Sequence, residues 1–377
     1  MLRHNRLAAV GAAAVLAAAT ATAAAASASS PGSATADHRA DAALDHIFVI
    51  MLENHSQSSV IGDPNAPYLS GLADRYSVAD AYFGVTHPSM PNYLAFLGGD
   101  NYGLQDDNDQ NVVNLDRPNL VDELEARHVG WDAYFDTLPA DKLARSGPTL
   151  PDGTTVSLYA KKHNPFVLFD DIASNPARLA HVKDYTALAA DLNGPRPPAF
   201  VWITPNQCND MHGGVSVAVA GHPETPCPFG SAKDDANDAA LKAKADQFVH
   251  TAVTTITGSR AWTRHSAIVI VTDENDFTGN SQTGGWESAD GCCDSPYVAK
   301  GDTRVSAAWP GGTYGGGLIP AIVVTGTGPQ HVLSHTPYNH YSLLTTIEDN
   351  WQLGHIGHAG DTAGGVRPMW DLFTPKH

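Results

Sequence analysis

The hydrophobic pattern of the chain predicts buried strands separated by helices. Four short runs rich in valine, isoleucine and phenylalanine, at residues 46–52, 199–204, 266–272 and 319–325, have the continuous apolar character of strands buried on both faces. Helical patterns lie between and after them, at residues 118–127, 233–257 and 340–353. Because the strands are too far apart for hairpins, the sequence predicts an α/β fold with a parallel or mixed sheet between helices.

The N-terminal segment has the pattern of a signal peptide. Arg3 and Arg6 precede an alanine-rich apolar run, which ends in small residues around Ala26. We predict a signal peptide at residues 1–28, a disordered lead-in at 29–43 and a single domain at 44–377, with secretion from the cell. No later apolar stretch approaches the roughly 20 residues that span a bilayer, so no membrane span is expected.

The charge balance changes which partners are expected. Without residues 1–28, the chain carries 20 basic and 40 acidic residues, a formal charge of −20. Such a field argues against nucleic-acid binding. It would also repel anionic substrates in general, so a site that handles anions needs a local concentration of cationic groups or a metal.

The four cysteines are expected to form structural disulfides if the chain is exported. They are Cys208, Cys227, Cys292 and Cys293, and three pairings are possible. A bond between the adjacent Cys292 and Cys293 would be strained. We therefore expect each of these two to reach Cys208 or Cys227.

Polar side chains follow three of the predicted strands, at the point where each strand ends. Glu53 and Asn54 follow the first, Asn206 and the segment 209–212 follow the second, and Asp273 and Glu274 follow the third. In open α/β sheets the carboxyl ends of the strands meet at one edge, where ligands bind. Four oxygen ligands from two loops suit Ca²⁺, Mg²⁺ or Mn²⁺ better than Zn²⁺, so one divalent metal ion is predicted at this edge.

Ser89 lies where an apolar helical turn begins, within Thr-His-Pro-Ser-Met-Pro-Asn-Tyr at residues 86–93. Serine is a common helix cap, and this is one interpretation of the motif. The same position faces free backbone N–H groups and the positive end of the helix dipole, which favour phosphate. Beside a metal that lowers its pKa, the hydroxyl could act as a nucleophile. No Gly-x-Ser-x-Gly elbow or Gly-rich nucleotide loop is present.

Three histidines in polar settings complete the predicted site. His163, His212 and His340 could each hold phosphate oxygens or protonate a leaving group, although a single histidine is more often structural.

Six motifs between residues 46 and 351 resemble one known family. They are VIMLENHS, THPSMPNY, KHNPF, PNQCNDMH, VTDENDF and HYSLLTTIED, in that order. The family is the phosphoesterase family of bacterial and fungal phospholipase C enzymes and acid phosphatases, within the alkaline phosphatase superfamily. The resemblance implies an alkaline-phosphatase-like three-layer sandwich, with a mostly parallel sheet flanked by helices.

The resemblance also implies roles for individual residues. Glu53, Asn54, Ser89, Asp273 and Glu274 would surround one metal ion, with Ser89 as the phosphorylated nucleophile. His163, Asn206 and His212 would contact the transferred phosphoryl group, and His340 is a further substrate-binding candidate. His163 and His212 are also the candidates for proton transfer to the leaving group.

The serine-containing motif resembles the acid phosphatase branch, so a secreted metal-dependent phosphomonoesterase is expected. A phosphodiesterase of phospholipase C or glycerophosphodiester type is the alternative within enzymes. A secreted phosphate- or metal-binding protein without turnover is the alternative of another class. The substrate is expected to be a small phosphate ester or a phospholipid headgroup. The sequence leaves open which of these, the metal, the pH optimum and the oligomeric state.

Overall fold

The computed structural model describes residues 43–112, 115–230, 236–276 and 289–373. The predicted signal peptide, and the lead-in except its last residue, lie outside these ranges. The division into segments therefore stays a prediction. Within the described ranges, every helix is too short or too polar to cross a bilayer.

The described residues form strands, helices and short 3-10 turns. The strands are β1 (His46–Leu52), β2 (Ser77–Ala79), β3 (Tyr82–Phe83), β4 (Trp131–Phe135), β5 (Ser146–Thr149), β6 (Thr155–Ala160), β7 (Val182–Asp184), β8 (Phe200–Thr204), β9 (Ser266–Thr272), β10 (Tyr297–Val298), β11 (Gly312–Thr313), β12 (Ala321–Thr325), β13 (Leu333–Ser334) and β14 (Tyr338–Asn339). The helices are α1 (Gln57–Val60), α2 (Pro67–Arg75), α3 (Ser89–Gly98), α4 (Leu120–Ala126), α5 (Asp170–Ala173), α6 (Pro176–Leu179), α7 (Leu188–Leu192), α8 (Ala236–Thr257), α9 (His340–Trp351) and α10 (Trp370–Phe373).

Eight strands form the central sheet, in the order β13-β2-β12-β9-β1-β8-β4-β7. β1 pairs in parallel with both β8 and β9, and β4 pairs in parallel with β7 and β8. β12 is antiparallel to both of its neighbours. The sheet is therefore mostly parallel, and the predicted α/β fold is confirmed.

Alternate residues of the buried strands pack against helices on opposite faces. On β1, Ile47, Val49 and Met51 join the core beneath α3, α4 and α9. Phe48, Ile50 and Leu52 join the core beneath α2, α7 and α8. Continuous apolar runs are what strands covered on both faces require, which explains the sequence pattern.

All four predicted strands and all three predicted helices are present. β1 and β9 have the predicted bounds, and β8 and β12 begin one and two residues later than predicted. α4, α8 and α9 lie within the predicted helical segments.

The predicted disulfide pairing was wrong. Cys208 bonds to Cys227, and Cys292 bonds to its neighbour Cys293. The segment after β8 folds back on itself because Val215 and Cys227 exchange backbone hydrogen bonds, which returns Cys227 to Cys208. Cys292 and Cys293 lie in a separate turn, whose two carbonyls accept hydrogen bonds from the side-chain amide of Asn339.

Candidate functional site

Residues from the carboxyl ends of three neighbouring parallel strands converge at one edge of the sheet. Glu53 directly follows β1, and Asp273 directly follows β9. The backbone N–H of Glu53 donates to the carbonyl of Asp210 in the loop after β8, over 2.8 Å. The backbone N–H of Asn54 donates to Oδ1 of Asp273 over 3.0 Å. These contacts join the three loops into one structure.

Ser89 is the first residue of α3, and its hydroxyl points at carboxylates. Pro88 occupies the N-cap position, so Ser89 does not cap the helix. Its Oγ lies 3.0 Å from Oε2 of Glu53 and 3.3 Å from Oε1 of Glu274. The loop before it is fixed by Asn92, whose side chain accepts from the N–H groups of Val85 and Thr86. The hydroxyl therefore has a defined position among acidic groups.

Tyr93 and His163 form the opposite side of Glu53. Tyr93 lies one turn after Ser89 on α3, and its hydroxyl donates to Oε1 of Glu53 over 2.6 Å. The ring of His163 stacks on that of Tyr93, with 5.4 Å between centroids and 10° between planes. His163 Nε2 lies 3.2 Å from the same Oε1. Both Glu53 oxygens are thus fixed by neighbouring donors.

Burial, together with neighbouring negative charges, raises the pKa values of four carboxylates at this edge. Burial, then Asp273 and Asp210, raises the pKa of Glu53 well above its usual value. Burial, then Glu274, raises the pKa of Asp273 to about 8. The pKa values of Asp210 and Glu274 are also raised, chiefly by burial. Such a cluster of acids is costly unless a cation is shared among them.

The donor set fits a divalent metal. Oδ2 of Asp273 is buried and receives no hydrogen bond from any described residue. Among the described residues at this edge, Glu53, His163 and His212 offer atoms that all lie within 4.8 Å of one another, and the predicted ligands Asp273 and Glu274 are not part of this group. The oxygen groups match hard cations, while the two imidazoles add nitrogen donors that the predicted oxygen-only ligand set did not include.

A cavity of about 290 Å³ opens beside Ser89. Its described wall is formed by Asn54, His55, Pro88, Ser89, Asp107, Lys162, Met211, His212, Phe229, Gly230, Glu274, Asn275 and Asp276. Lys162 is the only lysine or arginine among these lining residues. Its Nζ lies 2.7 Å from Oδ2 of Asp107. The burial of Lys162 lowers its pKa, but Asp107 and Glu53 outweigh this effect, so the ammonium is retained.

His212 faces this lysine. Its Nδ1 lies 3.0 Å from the carbonyl of Gly213, which can only accept, so Nδ1 carries the proton. Nε2 then lies 3.5 Å from Nζ of Lys162. Burial, then Lys162, lowers the pKa of His212 to about 4.

Three predicted substrate-binding residues, His163, Asn206 and His340, are not part of the described wall of this cavity. The amide of Asn206 donates to Glu224, and its Oδ1 accepts from the N–H groups of Cys208 and Asn209. Asn206 therefore shapes the turn that carries Asp210 and His212. His340 begins α9, and its Nε2 lies 2.7 Å from the backbone carbonyl of Asp273. It supports that strand end from behind.

Four residues of the site were not predicted from the sequence. Asp210 lies in the segment 209–212 that follows the second predicted strand, but no role of its own was predicted for it. Lys162 stands next to the predicted His163 in a 3-10 turn. Tyr93 lies one helical turn after Ser89, so the sequence could have placed both side chains on the same face of α3. Asp107 lies in an acidic run that is typical of a solvated loop, and nothing in the local sequence pattern identifies it as a site residue.

Comparisons with known proteins identify the family of this chain. A model of the phosphoesterase family matches residues 63–223 and 230–354. A probable acid phosphatase of Kluyveromyces lactis is 28% identical over 325 residues, which cover 85% of this chain and 61% of the relative. A phosphatidylinositol-3-phosphatase of Mycobacterium tuberculosis is 33% identical over 169 residues, which cover 45% of this chain and 52% of the relative. The chain thus spans about three fifths of the length of the first of these relatives.

Among solved structures, a protein of the alkaline phosphatase superfamily from Vibrio parahaemolyticus is similar, with a TM-score of 0.46 and 10% identity. The alignment covers 89% of this chain and 71% of that protein. The family match spans most of the chain and includes seven of the eight strands of the central sheet, all except β1, as well as Ser89, Asp273 and Glu274. The chain therefore belongs to the phosphoesterase family.

Proposed function

We propose that this protein is a secreted, metal-dependent phosphoric-ester hydrolase that forms a phosphoserine intermediate at Ser89. One observation carries the proposal: the Ser89 hydroxyl lies at the N-terminus of α3, between the carboxylates of Glu53 and Glu274, and opens on a cavity that contains Lys162. Relatives named as acid phosphatases and as a phosphatidylinositol-3-phosphatase support phosphate-ester chemistry. The two disulfides support an oxidising, extracellular location.

The metal would be held by Glu53, Asn54, Asp273 and Glu274, together with Ser89. Their oxygen atoms favour Ca²⁺, Mg²⁺ or Mn²⁺. When bound, a divalent ion at these residues would offset the repulsion among the carboxylates, lower the pKa of the Ser89 hydroxyl and stabilise charge on the phosphoryl oxygens.

The residues of the chain then divide the reaction between them. Ser89 Oγ forms a bond to phosphorus while the bond from phosphorus to the leaving alcohol oxygen breaks. Glu274 or Glu53 accepts the serine proton, since both already accept its hydrogen bond. The leaving oxygen receives a proton that the Lys162 ammonium transfers to Nε2 of His212, 3.5 Å away, and that His212 passes on; Lys162 regains its proton from water. Water hydrolyses the phosphoserine in a second step that restores Ser89.

The remaining predicted residues act by holding these groups in place. We assign to His163 the orientation of Glu53, which it contacts, along with contact to the phosphoryl group. We assign to His340 the support of Asp273, and to Asn206 the shape of the turn before His212. Lys162 is a cation in the described part of the cavity wall, where it would attract the phosphate ester.

A turnover screen tests the proposal. Purified protein is assayed with a chromogenic phosphomonoester, the matching bis-ester and phospholipid vesicles, before and after chelation and after re-addition of Ca²⁺, Mg²⁺, Mn²⁺ or Zn²⁺. We expect monoester hydrolysis that is lost on chelation and restored by one or more ions. Preference for the bis-ester or the vesicles would indicate a phosphodiesterase instead. Stoichiometric phosphate binding without turnover would indicate a binding protein.

A further inference from the structure

The carboxylate of Asp107 contacts two hydrogen-bond donors of the cavity at once. Its Oδ1 accepts the backbone N–H of Met90 over 2.9 Å, and its Oδ2 lies 2.7 Å from Nζ of Lys162. Met90 directly follows Ser89 in α3. Both Asp107 and Lys162 line the same cavity as Ser89.

These two donors are the kind that a phosphoryl group needs. Backbone N–H groups in the first turn of a helix bind phosphate, and a lysine ammonium is a common phosphate ligand. Asp107 also acts on the acidic side of the site. After burial, the negative charge of Asp107 is the largest cause of the raised pKa of Glu274. The Asp107 carboxylate thus contacts the donors that a bound phosphoryl group would use.

Asp107 differs from the other carboxylates of the site in its access to water. Its side chain is 31% exposed, whereas Glu53 and Glu274 are buried. When Asp107 leaves, water solvates its carboxylate, and an incoming phosphate replaces it as the partner of the Lys162 ammonium. Asp107 can therefore leave these donors at low cost when another anion arrives.

We propose that Asp107 competes with phosphate for Met90 N–H and Lys162 and so sets the phosphate affinity of the site. The substrate phosphoryl group displaces it, and its return helps to expel the phosphate product. This inference rests on the proposed function, because it assumes that the phosphoryl group binds beside Ser89. It predicts that removal of the Asp107 charge strengthens phosphate binding and slows product release.

Equilibrium binding of inorganic phosphate tests the inference without turnover. The dissociation constant is measured by titration calorimetry for the metal-loaded wild type and Asp107→Asn, which keeps the side-chain size and removes the charge. We expect phosphate to bind about tenfold more tightly to the variant. Asp106→Asn is the matched control, because the Asp106 carboxylate instead accepts from Asn108 and Asn111, and it should leave the constant unchanged.

Two further variants identify the cause of any change. Asp107→Ala, which removes both contacts, should bind phosphate at least as tightly as Asp107→Asn. The gain in phosphate affinity from Asp107→Asn should be smaller in the Lys162→Met background, because Lys162 is one of the donors for which Asp107 and phosphate compete. Thermal unfolding of each variant shows whether it is folded.

Unchanged or weaker phosphate binding in folded Asp107→Asn and Asp107→Ala would overturn the inference, as would a failure of all forms to bind phosphate. If the variants bind phosphate more tightly but the wild type hydrolyses no ester, the competition stands and the proposed function fails. If the wild type hydrolyses esters and the variants bind no more tightly, the proposed function stands and the competition fails.

Discussion

Tyr93 donates a hydrogen bond of 2.6 Å to Oε1 of Glu53, whose other oxygen lies 3.0 Å from the Ser89 hydroxyl. Because both donors lie on one face of α3, the helix sets the orientation of Glu53 relative to the serine. We expect Tyr93→Phe to free this carboxylate and to lower metal affinity or kcat by about 10- to 100-fold.

The matched control for this change is Tyr102→Phe. The Tyr102 hydroxyl donates to the backbone carbonyl of Gly98 at the other end of α3, so its loss should leave turnover unchanged. Metal titration and steady-state kinetics on both variants make the comparison. Equal activity of wild type and Tyr93→Phe would show that Glu53 does not need this contact.

Asp273→Asn should separate stability from function. Burial and Glu274 raise the pKa of Asp273 to about 8, so at neutral pH the metal-free folded protein must hold a proton that the unfolded chain releases. Asparagine does not have this cost, and we expect the metal-free variant to unfold at a higher temperature than the metal-free wild type. The affinity for the divalent ion should fall by about tenfold or more, because a charged ligand is lost. Thermal unfolding with and without metal measures both effects, with the exposed Asp74→Asn as control. A less stable metal-free variant would contradict this expectation.

The two disulfides should contribute unequally to stability. Cys208–Cys227 joins residues separated by 19 positions and encloses the segment that carries Asp210 and His212. Replacement of both cysteines by alanine should lower the free energy of unfolding by about 3 kcal/mol, with a loss of turnover. The double alanine variant of Cys292 and Cys293 closes no long loop, so it should cost much less. Denaturant unfolding of both variants measures the two changes in the free energy of unfolding. Equal losses of stability would contradict this account.

Stability should fall as the pH rises, partly through Glu348. Burial raises the pKa of Glu348 from 4.5 to about 9, so the folded protein holds a proton that the unfolded chain loses above pH 4.5. Between these values the free energy of unfolding should fall by up to about 1.4 kcal/mol per pH unit through this group. Glu348→Gln removes this contribution, so the variant should gain stability relative to wild type as the pH rises. A difference that does not change with pH would contradict the assignment.

Much of the fold and part of the site could be predicted because they depend on local pattern. Buried strands need apolar side chains on both faces, and the residues after β1 and β9 must emerge at the same sheet edge when those strands are parallel. The positions of Glu53 and Asp273 at strand ends can therefore be predicted from the sequence alone.

The rest depends on tertiary contacts that leave no local signal. Asp107 lies in a polar loop that only the folded chain brings against Met90 and Lys162. The pairing of Cys208 with Cys227 follows from a backbone turn-back that spacing does not reveal. Asn206 follows a strand as expected, yet its amide is engaged by Glu224, and only the structure shows this orientation.

The most direct test of the central claim is turnover of a phosphomonoester by Ser89→Ala in the presence of saturating metal. The account predicts a loss of about a thousandfold or more in kcat, with metal binding retained through the carboxylates. Acid quenching of the wild type during turnover should trap a phosphate on Ser89, which peptide mass spectrometry detects. Ser59→Ala, which alters another buried serine, is the control and should keep full activity. Full activity of Ser89→Ala would contradict the account.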